Sequence, residues 1–487
     1  MSIIQIKNLG FSYGSEQIFK NADLTLDSDW KLAFTGRNGR GKTTFLKILT
    51  GELQATGAII SNVQFEYFPY STSYTYAEEL FSAAAPLAQP WQYRRELFAL
   101  GLREESLYTP FDSLSEGEKT KIAIAAMFLK ENAFLLIDEP TNHLDMLGRK
   151  TLASYLSQKS GFIIVSHDRA FLDECCDHVL ALTRTGVEIR KGSFSQYLAD
   201  TQAREENERT ENKRLQTEIA ALKQSAHRTK EWGELVEQSK NQKVAGLKQD
   251  KGHVGAMAAK MMKRAKAIER QKERAADEKR ALLKDAEFVG NLKFSPLFYR
   301  SEKVCEFSRV SFSYGERDIL HDFSFTIMRG DAAHLCGANG SGKSTVFKLI
   351  TGAHKPDNGK ILLANDVKIS YVPQSLPAFS GTPAEFAAEH GADVSLFLAI
   401  LNKLDFQSRL FRMPVNTFSD GQKKKAALAA SLAVNAHLYL WDEPLNYLDV
   451  ISRIQIQNVI SECRPTLLFI EHDAAFCSAV ATKTIAL

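Results

Sequence analysis

Apolar residues fall along this chain in short runs, each closed by a polar or glycine-rich turn. Phe134, Leu135, Leu136 and Ile137 form one such run, Phe162–Val165 a second and Leu467–Ile470 a third. Runs of this length, apolar at every position, predict strands buried on both faces of a parallel sheet. None approaches the ~18 residues that a membrane helix needs. Phe45, Leu46, Ile48 and Leu49 instead keep a helical spacing just after a glycine-rich loop. Beyond residue 196 the pattern changes. Leu215, Ile219 and Leu222 recur at i, i+4, i+7 among charged residues, and Met261, Ala265 and Ile268 repeat that spacing. Gly246, Gly252 and Gly255 interrupt the stretch, where a helix would break. We expect two antiparallel helices joined at a tip near residues 244–256.

The strand-forming parts are duplicated. Phe11-Ser12-Tyr13-Gly14 recurs as Phe312-Ser313-Tyr314-Gly315, and Gly36-Arg37-Asn38-Gly39-Arg40-Gly41-Lys42-Thr43 as Gly337-Ala338-Asn339-Gly340-Ser341-Gly342-Lys343-Ser344, both offset by 301. Asp138-Glu139-Pro140 returns as Asp442-Glu443-Pro444 at offset 304, and His167-Asp168 as His472-Asp473 at 305. Collinear matches of this kind mean a repeated domain. The division expected is 1–195 and 296–487 for the two copies, with 196–295 between them. The second copy closes on Thr484-Ile485-Ala486-Leu487, which parallels Val179-Leu180-Ala181-Leu182, so no C-terminal appendage is expected.

Composition alters this picture only in the insert. The net charge is +3 over 487 residues, yet residues 221–272 carry 13 Lys/Arg against 5 Asp/Glu, leaving −5 for the rest. A basic helical projection on a mildly acidic body can be a solvated hairpin without a partner. It can equally be a nucleic-acid surface, since Lys and Arg neutralise phosphates and release counterions. The six cysteines lack CxxC or metal spacing and read as reduced thiols in a cytoplasmic protein. The first residues lack the basic start and apolar run of a signal peptide.

The glycine-rich loops carry the chemistry. Gly36, Gly41, Lys42 and Thr43 fit G-x4-G-K-[ST], as do Gly337, Gly342, Lys343 and Ser344, each between an apolar strand and an apolar helix pattern. Glycines let main-chain N–H groups approach phosphates, and the helix N-terminus adds its dipole. Lys42 and Lys343 are expected on the β- and γ-phosphates; Thr43 and Ser344 are expected on Mg²⁺. Asn38, Gly39 and Thr44, with Asn339, Gly340 and Thr345, complete the two loops. Asp138-Glu139 and Asp442-Glu443 end apolar strands, where α/β sheets bind ligands. Asp138 and Asp442 would position Mg²⁺, and Glu139 and Glu443 would act as general bases on water. His167 and His472 also end strands, 29 and 30 residues after Asp138 and Asp442, as candidate γ-phosphate sensors.

Leu114-Ser115-Glu116-Gly117-Glu118 and Phe418-Ser419-Asp420-Gly421-Gln422 each place glycine 21 residues before the first carboxylate. Both resemble the LSGGQ signature of the ABC ATPase superfamily. That resemblance implies an α/β fold of two tandem ABC-type P-loop NTPase domains, joined by a long α-helical hairpin linker. It implies a head-to-tail pairing within one chain: Lys42 with Ser419 and Gly421 around one ATP, Lys343 with Ser115 and Gly117 around the other. Tyr13 and Tyr314 match the adenine-stacking aromatic, and Gln374 in Tyr371-Val372-Pro373-Gln374 matches the glutamine near Mg²⁺. The first copy departs from this pattern. Tyr70 stands where Gln is expected, and a phenol cannot replace an amide as a metal-shell ligand, so the two sites are expected to hydrolyse unequally.

Asp138-Glu139-Pro140-Thr141-Asn142-His143-Leu144-Asp145 is similar to the ABC-F pattern, and the layout without a membrane span agrees. Trp441-Asp442-Glu443-Pro444-Leu445-Asn446-Tyr447-Leu448-Asp449 resembles the ribosome-protecting branch of Lsa and Vga type. By that resemblance the ATP-bound form, a monomer without membrane subunits, binds the bacterial ribosome near the exit site. Its 23S rRNA and P-site tRNA would be the partners. The linker tip would dislodge lincosamides, pleuromutilins and streptogramin A. The tip candidates are Trp232, Lys243, Lys248, Lys251, His253, Met257, Lys260 and Met261. Trp232 can stack on a base or pack between the helices, and the methionines can be core filler or contacts. A housekeeping ABC-F translation factor shares every one of these ATP-site residues. A transporter ATPase subunit would leave the basic hairpin unexplained.

Overall fold

The computed structural model describes residues 2–239 and 292–487, except positions 15, 38–39, 70–73, 143, 184–185, 339, 377 and 405; between these stretches it describes residues 260, 263, 266–268, 270, 271 and 274. Met1–Tyr197 and Gly290–Leu487 make one compact unit, and Leu198–Val289 a second.

In the first half, β1 (Ile3–Tyr13) pairs antiparallel with β2 (Glu16–Asp27) and with β4 (Thr56–Ile60), in the order β2-β1-β4. The larger sheet contains β3 (Lys31–Thr35), β5 (Gln64–Phe68), β6 (Ala133–Asp138), β7 (Phe162–Val165), β8 (His178–Leu182) and β9 (Val187–Lys191). Its order is β5-β6-β7-β3-β8-β9, parallel except for β9. All residues of β7 and β8 are buried, as the unbroken apolar run of β7 requires. Around this sheet run α1 (Lys42–Leu49), α2 (Ala77–Ala84), α3 (Pro90–Ala99), α4 (Glu116–Phe128), α5 (Met146–Ser157) and α6 (Arg169–Cys175).

α7 (Phe194–Ser239) leaves the first half as one uninterrupted helix. Its charged surface is laced by pairs such as Arg214 Nε–Glu218 Oε1 at 3.1 Å. Trp232 lies on this helix, Lys260 is helical and exposed, and Lys243, Lys248, Lys251, His253, Met257 and Met261 lie outside the described residues.

The second half repeats the plan. β10 (Lys303–Tyr314), β11 (Arg317–Met328) and β13 (Asn358–Leu363) form the small antiparallel sheet. β12 (Ala332–Cys336), β14 (Ile369–Val372), β15 (Leu438–Asp442), β16 (Leu467–Ile470) and β17 (Lys483–Ala486) form a parallel sheet in the order β14-β15-β16-β12-β17. Its helices are α8 (Lys343–Ile350), α9 (Pro383–Glu389), α10 (Val394–Lys403), α11 (Asp420–Ala433), α12 (Val450–Cys463) and α13 (Ala474–Val480). Leu335, Phe347, Leu440 and Ile470 join one core cluster, and Phe397, Leu428, Trp441 and Phe469 another. Among the described residues no helix is long and apolar enough to cross a membrane.

Candidate active sites

Three adjacent strands bring the motifs together. β6, β7 and β3 end side by side, so Asp138, His167 and the Gly36 loop meet at one edge; β15, β16 and β12 do the same for Asp442, His472 and the Gly337 loop. Each loop enters its helix through a left-handed glycine, Gly41 at φ 93° and Gly342 at φ 100°. A Cβ at Gly41 would lie 2.5 Å from Ile18 Cγ2, so both the backbone and the space require glycine. Lys42 Nζ folds back onto Gly36 O at 2.6 Å, and Lys343 Nζ onto Gly337 O and Ala338 O, both at 2.9 Å. Asn38, Gly39 and Asn339 are among the positions not described; Gly340 is left-handed, and Thr44 and Thr345 lie in the first turns of α1 and α8.

Burial lowers the pKa of both loop lysines. Opposing it at Lys42 are Asp449, Glu139 and Asp138, and at Lys343 Glu443, Asp442 and Asp145. The pattern is reciprocal: Asp449 of the second half acts on Lys42 of the first, and Asp145 of the first half on Lys343 of the second. The halves also touch directly, with Arg169 Nη2 donating to Gln457 Oε1 at 2.8 Å.

Thr43 Oγ1 donates to Asp138 Oδ2 at 2.9 Å, and Tyr67 OH to the same oxygen at 3.1 Å. Ser344 makes the matching hydrogen bond to Asp442, whose carboxyl burial pushes up to about 6. Hydroxyl and carboxylate side by side form the hard-oxygen set that Mg²⁺ accepts alongside phosphate and water. Two buried polar atoms at the loops, Ser341 Oγ and Glu139 Oε1, have no hydrogen-bond partner among the described residues. A charged ligand with its cation would satisfy such atoms, so the residues fit ATP and Mg²⁺.

The two strand-end glutamates share a backbone and differ in surroundings. Glu139 and Glu443 are both left-handed, at φ 51° and 48°. Non-glycine residues rarely adopt that conformation outside functional sites. Both N–H groups are tied to the neighbouring strand, on Val165 O and Ile470 O. Burial and then Asp138 push the Glu139 carboxyl up to about 8. His167 Nε2 lies 3.2 Å from Glu139 Oε1 without hydrogen-bonding geometry, and burial drives the imidazole well below its ordinary pKa. Glu443 Oε2 instead accepts from Gln374 Nε2 at 3.1 Å and Asn446 Nδ2 at 2.7 Å, with His472 Nε2 3.7 Å from Oε1. Burial raises its pKa, but His472, Gln374 and Lys424 outweigh that and hold it at about 2. Gln374, expected near Mg²⁺, turns its amide nitrogen to the glutamate. Tyr70, its counterpart in the first half, lies outside the described residues.

The signature serines cap α4 and α11. Ser115 N and Oγ both donate to Glu118 Oε2, at 2.9 and 2.7 Å. Ser419 N donates to Gln422 Oε1 at 3.0 Å, and Ser419 Oγ accepts from Gln422 N at 3.4 Å. Gly117 and Gly421 follow in the first turns; a Cβ at Gly421 would lie 3.0 Å from Tyr447 Cβ. Tyr13 and Tyr314 are exposed, each edge-on to a phenylalanine two residues earlier, with His354 5.5 Å from Tyr314.

Residues 19–142 and 320–446 match the family described as ABC transporter. The chain belongs to this family. ABC ATP-binding domains hydrolyse ATP with Mg²⁺, and the pair here is of the ABC-F type. The chain is similar to the ATP-binding protein YdiF of Bacillus subtilis, at 29% identity over 100% of this chain and 80% of that one. It is 25% identical to the ribosome protection protein VmlR of Bacillus subtilis, covering 97% and 84%. It is also 25% identical to the energy-dependent translational throttle protein EttA of Escherichia coli K12, covering 96% and 89%. In fold it is similar to archaeal ribosome recycling factor aABCE1 in complex with stalk protein aP1, with a TM-score of 0.63 at 21% identity over 98% and 87%.

Several residues of these ABC sites were not singled out from sequence. Asp145 and Asp449 end the acidic motifs, and their opposite-site role needs the assembled pair. Tyr67 and Asn446 flank known motifs, so proximity was the available signal. Lys425 Nζ, 3.6 Å from Asp449 Oδ2, lies in an ordinary-looking lysine run.

Proposed function

We propose that this chain is an ATP-dependent ribosomal protection protein. In this reading it binds the bacterial ribosome near the exit site and displaces lincosamides, pleuromutilins and streptogramin A from the peptidyl-transferase centre. ATP hydrolysis then releases it. The observation that carries the reading is the reciprocal electrostatics of the two ATP sites, each influenced from the opposite half, in a chain that also holds a basic insert. The likeness to VmlR supplies the direction.

Lys42, Ser419 and Gly421 close on one ATP, and Lys343, Ser115 and Gly117 on the other. Bound Mg²⁺ would neutralise phosphate charge, held by Thr43 and Asp138, and by Ser344, Asp442 and Gln374. Glu139 and Glu443 orient the attacking water as general bases, with His167 and His472 beside them. Contacts made only in the closed state shift the population toward it. The closed form presents Trp232, Lys243, Lys248, Lys251, His253, Met257, Lys260 and Met261 toward 23S rRNA and P-site tRNA. The division into halves 1–195 and 296–487 around linker 196–295 belongs to this proposal, as does a cytoplasmic monomer.

A susceptibility panel in a sensitive bacterium tests it. The wild type should raise tolerance to lincomycin and tiamulin. The Glu139→Gln/Glu443→Gln double variant, and a deletion of 244–256, should not. The double variant should cosediment with ribosomes in ATP. Cosedimentation without any change in tolerance would favour a translation factor, the reading that the equal likeness to EttA supports.

A further inference from the structure

Lys424 is a buried cation that the ATP-site reading does not use as a ligand. It lies in α11, five residues after Ser419, and is 4% exposed. Its Nζ donates to three main-chain carbonyls: Asp442 O at 2.7 Å, Pro373 O at 2.9 Å and Gln374 O at 3.1 Å. An ammonium has three protons and no acceptor, so these bonds take its whole donor capacity. The carbonyls lie at the end of β15 and just past the end of β14, adjacent parallel strands. From those ends project Gln374 and Glu443, themselves joined at 3.1 Å. Separating the lysine from them would leave a buried charge and the buried Asp442 carbonyl unsatisfied, so helix and strand ends move together.

Among the described residues the first half shows no such strut. Thr120 occupies the equivalent place in α4, and its hydroxyl donates to Glu116 O at 2.9 Å, within its own helix. A threonine is too short to span from helix to strand ends. The same helix α11 is capped by Ser419 and carries Gly421 in its first turn, the residues that in the proposed pairing would face ATP on Lys42. Lys424 therefore joins a helix that serves one site to the glutamate that serves the other.

We propose that Lys424 is a positioning residue that transmits occupancy of the Lys42–Ser419 site to the Gln374–Glu443 pair of the opposite site, in that direction only. This rests on the pairing of Lys42 with Ser419. The rigid path is one and a half turns of helix followed by three hydrogen bonds. With Thr120 in place of a lysine, filling the Lys343–Ser115 site sends no equivalent signal to Glu139.

The test loads one site at a time. In a Lys343→Ala background, a non-hydrolysable ATP analogue fills the Lys42 site alone. Amide exchange of the peptides covering 369–376 and 438–446 should then slow by about threefold or more. Lys424→Met should abolish that slowing while analogue affinity stays within about twofold. In a Glu139→Gln background, Lys424→Met should cut single-turnover hydrolysis at saturating ATP by about tenfold, with half-saturation unchanged. Lys424→Arg should restore part of the rate, and in a Glu443→Gln background Thr120→Val should leave the Glu139 site at its own rate. Lys424→Gln, which keeps two donors, runs in parallel against a folding failure of Lys424→Met. Unchanged exchange and turnover in the folded variants, or equal slowing of both sites, overturns the proposal. Ser419→Ala should weaken analogue binding at the Lys42 site; if it does not, the pairing falls and the proposal with it, independently of any ribosome result.

Discussion

Glu118 stands three residues after Ser115 and takes both its N–H and its hydroxyl, whereas Gln422 leaves the Ser419 hydroxyl proton to other acceptors. A carboxylate at the helix N-terminus is a good cap. It is a poor neighbour for a γ-phosphate, because like charges compete for the same helix end. Glu118→Gln should therefore tighten ATP at the Lys343 site by a few-fold, about 0.5–1 kcal/mol. Equilibrium binding of a fluorescent ATP analogue in a Lys42→Ala background checks it. A second asymmetry concerns the bases. Glu443 is held by Gln374 and Asn446, while Glu139 Oε1 has no hydrogen-bond partner among the described residues. A fixed base is better aimed at water. Glu443→Gln should thus remove most of the steady-state ATPase, and Glu139→Gln the smaller share, as single-turnover assays of each variant would report. The sequence already displayed the lysines, carboxylates and histidines of both sites, because phosphate and metal chemistry restricts residue type and spacing. It hid the second layer. Asn446 and Lys424 act through side-chain reach and backbone carbonyls, which leave no mark on a single chain.

At the scale of elements, the parallel strands were legible because burial on both faces leaves an unbroken apolar run, as in Phe162–Val165. The tie between α3 and the end of α5 was not, because it runs through a buried polar cluster. Glu96 is 2% exposed on α3 and accepts from Tyr155 OH at 2.6 Å and Lys159 Nζ at 2.6 Å, with Arg95 at 2.8 Å. Burial raises the Glu96 pKa, but Lys159, Tyr155 and Arg95 outweigh it and leave the carboxyl below its ordinary value. A depressed folded-state pKa contributes stability above the unfolded value, and that stability is lost as pH falls through the folded value. Glu96→Gln should cost about 2 kcal/mol at neutral pH. The difference in melting temperature from wild type should shrink as pH drops below ~4. A difference that stays constant down to acid pH would assign the loss to shape instead of charge.

For the whole molecule, the uneven charge sets a measurable signature. Net charge is +8 over 221–272 and −5 elsewhere, so attraction to a polyanion is concentrated in the linker while the body is weakly repelled. If the linker meets RNA, binding must release counterions, and affinity must fall with salt by about 0.7 in log–log slope per phosphate neutralised. Replacing Lys243, Lys248, Lys251 and Lys260 together by Gln should reduce that slope by up to ~3. Substituting as many lysines on the body should leave it unchanged. The comparison uses the Glu139→Gln/Glu443→Gln protein with ATP, so that release does not limit the measurement, and reads ribosome cosedimentation between low and physiological salt. ATP affinity should not differ between the two lysine sets, because neither set includes a residue of the nucleotide-binding motifs. A slope that responds to body lysines and not to linker lysines would move the RNA-facing surface from residues 221–272 to the ATPase halves, and closure would then have to be read as reshaping that surface.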